Sequence, residues 1–145
     1  MKKIFVALMA VLVLASCGGD KKGSSSSVSA VIENIKTPGD YFLAVATIQD
    51  RCSDRVDKAK NADEIIDAVD ELTTNTLELK EKILGLDFSS TKNMDAYESE
   101  GRKYAASTER LRVTLNEKGR QIEFTPEQQQ KFVQVLQKMY NSVPQ

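Results

Sequence analysis

Histidine is absent from the 145 residues, which removes the commonest general base and the commonest transition-metal ligand. Catalysis by a Ser-His-Asp or Cys-His arrangement and zinc binding through histidine are therefore excluded. Positive charge is not in excess either, since 20 lysines and arginines stand against 21 acids. No basic stripe alternates with aromatic side chains, so the sequence predicts no nucleic-acid partner. We expect no cofactor and no metal site.

A long apolar run is also missing, apart from one short segment near the start. Lys2 and Lys3 precede eleven apolar residues, Ile4 to Leu14, which end at Ala15, Ser16 and Cys17. As a helix these eleven residues span about 16 Å, too little for a hydrocarbon core of about 30 Å. The segment is therefore predicted to be a secretory signal peptide, residues 1–16, rather than a transmembrane helix.

The tetrapeptide Leu14-Ala15-Ser16-Cys17 resembles the lipobox of bacterial lipoprotein precursors, and the residues around it resemble small lipoproteins of the Bacteroidetes group. This resemblance implies cleavage by signal peptidase II, a diacylglycerol thioether on Cys17 and, commonly, a further acyl chain on its new amino group, with palmitate as the expected lipid. It also implies a cell-envelope location. Gly18 stands where an aspartate would retain enteric lipoproteins at the inner membrane, so the outer membrane is favoured, with the periplasmic and surface sides both left open.

Small and polar residues follow Cys17, and residues 17–30 are predicted to be a flexible tether. The folded domain is predicted to span residues 31–145. Val28, Val31, Ile32 and Ile35 have helical spacing, but an isolated eight-residue helix is marginal. Whether residues 28–36 form an extra helix is therefore left open.

Apolar residues after Thr37 recur every three or four positions, which predicts four helices. The four stripes are Tyr41, Val45, Ile48, Cys52, Val56 and Ala59; Ile65, Val69, Leu72, Thr76, Leu79 and Ile83; Met94, Tyr97, Gly101, Tyr104, Thr108, Leu111 and Leu115; and Phe132, Val135, Leu136 and Met139. Gly85 and Gly119 are predicted to stop the second and third helices. The expected fold class is all-α, an up-and-down antiparallel bundle of four helices.

In such a bundle the start of the first helix, the loop after the second and the end of the fourth share one end. We therefore expect these segments to form an apolar plug there, made of Tyr41, Phe42, Leu86, Phe88, Met139 and Tyr140. The fourth helix is shorter than the third by roughly 14 Å. Ile122 and Phe124 are the candidates to cover that unmatched length.

Three groups of residues invite a chemical interpretation, and a structural one is favoured for each. The acids Asp63, Glu64, Asp67, Asp70 and Glu71 are expected to be a solvated face near a helix start rather than a cation site. Cys52 is expected to be a buried small hydrophobe, which has no disulfide partner if Cys17 carries lipid. Gly101 is expected to allow close approach of another helix.

Phe124-Thr125-Pro126-Glu127-Gln128 resembles the L-T-x-x-Q element of small helical periplasmic stress chaperones. That family carries the element twice with a leucine first, whereas this chain has one copy that begins with phenylalanine. A helix-start cap explains the same letters locally.

The function predicted from the sequence is that of a non-enzymatic, lipid-anchored interaction module that binds an envelope protein or its own copy. The alternative is a chaperone-like protein that binds unfolded clients. A glycosidase would need two acids in a cleft, for which a filled bundle has little room. The candidate interaction residues are Tyr41, Phe42, Phe88, Ile122, Phe124 and Tyr140.

Overall fold

The computed structural model describes residues 28–88 and 94–141. It contains the helices α1 (Val28–Glu33), α2 (Pro38–Lys58), α3 (Ala62–Ile83), α4 (Glu98–Gln121) and α5 (Pro126–Tyr140), with a 3-10 helix at Met94–Tyr97. The protein is an all-α helical bundle, as the sequence predicts. No helix in the described part is long and apolar enough to cross a membrane. Cys17, the predicted signal peptide and most of the tether lie outside the described residues.

The helix starts follow from side chains that replace missing backbone partners. Thr37 and Asp40 form a reciprocal capping box at α2, and Thr125 and Gln128 form another at α5. At α3 the Asn61 side chain accepts from the Glu64 amide, while Glu64 accepts from the amide of Lys60. The starts of α2, α3 and α5 are therefore each encoded within a few residues of local sequence, whereas the start of α4 at Tyr97 has no side-chain cap.

The helix ends agree less closely with the glycine positions. α3 ends at Ile83, just before Gly85, as predicted. α4 continues through Gly119 to Gln121, so the predicted stop at Gly119 is wrong. The turn after α4 is an extended Ile122 rather than a glycine cap.

The helices α2 to α5 alternate in direction, but the most extensive packing is between two parallel helices. Near their starts, Gly39 of α2 lies against the Tyr97 ring just before α4. Near their ends, Nζ of Lys118 in α4 lies 3.4 Å from the carbonyl oxygen of Ala59. α2 and α4 therefore run side by side in the same direction, and they share the most extensive helix contact of the described part.

α5 packs on α3 in the same parallel manner. Gln128 Nε2 donates to Asp63 at 2.9 Å near both helix starts, and Lys138 Nζ lies 3.3 Å from Asp70 further along. α2 and α3, joined by a short connection, are antiparallel neighbours at the centre. The main packing order across the bundle is thus α4, α2, α3, α5.

The core is contributed by all five helices. Its most deeply buried members include Val56, Ile65, Ile66, Leu79 and Leu111. α1 adds Val28 and Ile32, and it packs against both α2 and α3. Residues 28–33 therefore do form an extra helix, which the sequence leaves open. This helix starts inside the range 17–30 that the sequence assigns to the tether.

The covering of the unmatched bundle length differs from the prediction. α5 starts beside the start of α3, and Lys138, near the end of α5, lies level with Asp70 of α3. The end of the bundle that α5 leaves uncovered is therefore the one where α3 ends. Ile122 and Phe124 pack against the core at the opposite end, where α5 begins. The assignment of these two residues as the cover is therefore wrong. α1 lies near the uncovered end instead, because residues 34–37 alone separate it from the start of α2.

Close helix approach occurs at a different glycine from the one that the sequence suggests. A Cβ atom on Gly101 would meet nothing within 4 Å, whereas one on Gly39 would lie 2.8 Å from Cδ1 of Tyr97. The prediction of close packing at Gly101 is therefore wrong. The hydrophobic stripe of its helix predicts that Gly101 is a core position. Only the path of the backbone shows the distance between Gly101 and the atoms of neighbouring helices.

This difference gives an expected result for two matched substitutions. Gly101→Ala should raise the free energy of unfolding by about 1 kcal/mol, because alanine favours a helix interior and meets no neighbour. Gly39→Ala should lower it by about 1–2 kcal/mol, because the new methyl group displaces the Tyr97 ring. Urea denaturation followed by circular dichroism measures both changes. Equal effects of the two substitutions would contradict the assigned packing.

Candidate functional site

Three of the predicted interaction residues meet at one end of the bundle. The rings of Tyr41 and Phe42 have centroids 6.1 Å apart, and Tyr41 meets Phe88 edge to face, also at 6.1 Å. Tyr104 of α4 joins them, with its ring centroid 5.8 Å from that of Phe42. We call Tyr41, Phe42, Phe88 and Tyr104 the aromatic cluster. It ties together the start of α2, the segment after α3 and the first half of α4.

The membership of this cluster corrects the predicted plug. Met139 packs against the core beside α3 and does not reach this end of the bundle, because α5 is level with Asp70 by Lys138. The side chain of Tyr140 lies outside the described residues. Tyr104, which the sequence placed only on the stripe of its own helix, is the member that the prediction missed. Its helix reaches the cluster because α4 packs on α2.

The aromatic cluster is partly enclosed by its own contacts. Its four side chains are neither fully buried nor fully exposed. Burial raises the pKa of the Tyr41 hydroxyl, and the nearby Tyr104 raises it further. The rings therefore serve first as packing, which leaves only their outer edges for contact with another molecule.

Ile122 and Phe124 lie at the other end of the bundle. The Phe124 ring packs on Phe132 of α5 with the centroids 5.6 Å apart, and Ile122 contacts the core. Thr125 and Gln128 are both used in the capping box of α5. In the chaperone-like element, Phe124, Thr125 and Gln128 thus each make a packing or capping contact. Pro126 stands at the first turn of α5.

Apolar exposure is concentrated at single residues. Leu84, which caps the end of α3, is 87% exposed, and Val113 of α4 is 37% exposed. Leu84 stands just before Gly85 and just after Ile83, the last residue of its apolar stripe. It is not among the interaction residues that the sequence predicts, although an apolar residue just beyond the end of a core stripe is a signal for an exposed anchor. It is the most accessible large apolar side chain of the described part.

The acidic residues of α3 are distributed among separate partners. Asp63 accepts from Gln128, Asp70 pairs with Lys138, and Glu64 accepts amides at its helix start. Glu71 accepts from Arg51 at 2.8 Å and also from Arg55. Within residues 28–88 and 94–141, no three His, Cys, Asp or Glu side chains are grouped closely enough to hold a metal ion.

Cys52 is buried against α3, as the sequence predicts. Its side chain is 2% exposed, and its Sγ lies 3.5 Å from the carbonyl oxygen of Ala68. Burial raises the pKa of the thiol to about 12, because a thiolate is poorly solvated between two helices. At neutral pH the sulfur is therefore a protonated thiol and a poor nucleophile.

This environment predicts slow chemistry at Cys52. Its reaction with a disulfide reagent at pH 8 should be at least ~10-fold slower in the folded chain than in urea, because folding both covers the thiol and disfavours the thiolate. Absorbance of the released thiolate measures the rate, and a Cys52→Ser variant gives the background. Equal rates in the folded and unfolded chains would contradict the burial of this side chain.

Buried polar groups in the described part are all satisfied. No buried side-chain nitrogen or oxygen there lacks a hydrogen-bond partner. Thr108 Oγ1 lies 3.1 Å from Gln49 Oε1, which joins α4 to α2 in the core, and Ser53 Oγ donates to the carbonyl oxygen of Gln49. These side chains stabilise the parallel helix pair and leave no polar atom directed into an empty site.

Comparison with known proteins adds no relative. No protein-family model matches the chain, and no curated protein or solved structure matches it significantly.

Proposed function

We propose that this chain is a lipid-anchored cell-envelope protein whose helical body acts by contact with another envelope protein or with a second copy of itself. The observation that carries the proposal is the lipobox-like Leu14-Ala15-Ser16-Cys17, which follows a positive pair and an apolar run of signal-peptide length. Lipid on Cys17 would hold the protein at a membrane without a spanning segment. The outer membrane is the proposed site, because Gly18 replaces the retention aspartate.

The described body supports contact more than chemistry. Cys52 is covered and protonated, and four acids of α3 are engaged in caps, hydrogen bonds or ion pairs that organise the bundle. A pair of carboxylates working as acid and base needs a shared cleft that shifts their pKa values apart. These acids instead lie at successive levels along α3, each with its own partner. The side chains that could serve as a nucleophile, an acid or a base, namely Cys52 and these acids, are therefore used to hold the bundle together.

A contact function requires an accessible apolar anchor, and Leu84 is the residue that the structure favours. Binding free energy is usually concentrated in a few aromatic or aliphatic side chains. Of the six residues chosen from the sequence, Tyr41, Phe42, Phe88, Ile122 and Phe124 are packed within the molecule. Leu84 is 87% exposed and stands at the C-cap of α3, four residues before Phe88 of the aromatic cluster.

The chaperone alternative lacks a comparable observation. A protein that holds unfolded clients needs an exposed apolar patch of several hundred Å². In the described part the large exposed apolar side chains, Leu84 and Val113, stand singly on different helices. The capping box at Thr125 also gives a local reason for the letters that resemble the chaperone element.

The contact proposal predicts a difference between apolar and acidic substitutions. A photo-crosslinking residue placed at Glu81, one turn before Leu84, should form a discrete crosslinked species on the membranes of intact cells. Leu84→Ser should reduce that species by about 10-fold or more, the loss expected for a binding hot spot. Asp63→Asn, Asp67→Asn and Asp70→Asn should leave it within about twofold of the parent level.

Circular dichroism of each purified variant provides the control for folding. Loss of the crosslinked species with the acidic substitutions alone, in folded protein, would contradict the contact proposal and favour a carboxylate or metal mechanism. Suppression of aggregation of an unfolded client by the purified chain would support the chaperone alternative instead.

A further inference from the structure

α4 is attached to the bundle unevenly along its length. Its buried side chains are Ser107, Thr108, Leu111 and Leu115, all of which lie in the middle and second half of the helix. Residues 98–106 contribute no buried side chain. The stability of a helix in a protein comes mainly from burial of one face, so the two parts of α4 are held with different strength.

The first part of α4 is held by half-buried side chains and by an ion pair of Arg102 with Glu98 on its own surface. Tyr104 stacks near Phe42 in the aromatic cluster, and Tyr97, just before the helix, lies against Gly39. Among the other helices of the described part, α4 packs extensively on α2 alone. Opening of this segment would therefore separate a single helix contact rather than disturb the centre of the core.

Gly101 weakens the same segment further. Glycine destabilises a helix interior relative to alanine, and such a glycine usually makes room for a close neighbour. Here a Cβ atom would meet nothing within 4 Å, so packing gives no reason for the glycine. Its remaining physical effect is to lower the helical stability of residues 98–106.

The next turn supplies a firm boundary. Thr108 Oγ1 lies 3.1 Å from Gln49 Oε1 and 2.9 Å from the carbonyl oxygen of Tyr104 in the preceding turn. Leu111 follows, fully buried. A threonine bonded to its own helix one turn back is also a position at which helices bend.

From this asymmetry we infer that residues 98–106 form a flap that opens and closes by local unfolding while residues 107–121 stay packed on α2. The hinge is the turn between Tyr104 and Thr108. Opening uncovers the α2 surface that contains Gly39 and Phe42, together with the edge of the aromatic cluster. The inference concerns the fold and does not depend on the lipid anchor or on a partner.

Native-state hydrogen exchange of the purified full-length chain tests this inference. After correction for intrinsic rates, amides 102–106 should exchange at least ~30-fold faster than amides 111–116, because local openings require much less free energy than global unfolding. Gly101→Ala should slow exchange of amides 102–106 about fivefold, by the alanine preference of helices. Amides 111–116 should slow by no more than the same factor, because the global unfolding that exposes them also melts residues 98–106. The substitution is not expected to disturb folding, since the added methyl group has open space.

Val113→Ala is the matched control, because it also improves helix propensity at an accessible position but lies beyond the proposed hinge. It should leave exchange of amides 102–106 unchanged. Similar protection along the whole helix would overturn the inference. So would an equal slowing of amides 102–106 and amides 111–116 by Val113→Ala, since α4 would then open as one unit.

Discussion

Leu111→Ala is expected to lower the free energy of unfolding by about 2–5 kcal/mol, the range for a leucine removed from a packed core. Leu111 has 0% exposure, and it is one of two apolar side chains that α4 buries, the other being Leu115. The rest of the buried α4 surface is Ser107 and Thr108. Loss of the leucine therefore leaves a cavity and also removes a large part of the apolar attachment of α4 to the bundle.

Urea denaturation monitored by circular dichroism measures this change, and Val113→Ala provides the control in the same helix. Val113 is 37% exposed, so its truncation should alter the free energy of unfolding by no more than about 0.5 kcal/mol. A cost below about 1 kcal/mol for Leu111→Ala would show that α4 is not packed on α2 as described.

Cys17→Ala is expected to abolish both incorporation of labelled fatty acid and recovery of the protein in the membrane fraction. The reason is that the proposed anchor is a thioether on this sulfur, and two or three acyl chains are needed for lasting attachment. Each buried CH₂ contributes about 0.8 kcal/mol, so loss of the chains removes essentially all of the membrane affinity. Radiolabelled palmitate and fractionation of cells give the two measurements.

The second cysteine is the matched control for this experiment. Cys52→Ala should retain full labelling, because Cys52 is buried and its raised pKa keeps the thiol protonated. Undiminished labelling of the Cys17→Ala protein would reject the lipoprotein assignment. Loss of labelling in both variants would indicate a failure of folding or export rather than of lipid attachment.

The local sequence by itself determined the existence of the main helices and the starts of α2, α3 and α5. Thr37 with Asp40, Asn61 with Glu64 and Thr125 with Gln128 cap helices within four residues. Such caps satisfy free backbone amides without help from distant parts of the chain. The apolar period of 3.6 residues likewise predicted the α2 face that packs on α3, including buried Cys52.

The candidate site could be predicted only in part. Tyr41, Phe42 and Phe88 were correctly brought together, because a short connection forces α2 and α3 to be antiparallel neighbours. Met139 was misplaced, since helix length alone does not say at which end a short helix leaves a gap. Leu84 was missed, because exposure depends on where α3 stops relative to its neighbours.

Which helices are neighbours was decided only by the tertiary structure. α2 carries a second face toward α4, spaced by three and four residues like one side of a coiled coil, with Gly39, Phe42, Ala46, Gln49 and Ser53. This face gives almost no hydrophobic signal, because most of its members are small or polar. They become core residues because α4 runs parallel to α2 and Thr108 meets Gln49, a contact between residues 59 positions apart. The apolar period of a helix predicts the face that buries hydrocarbon. Close packing through small and polar side chains can be identified only from the position of the partner helix.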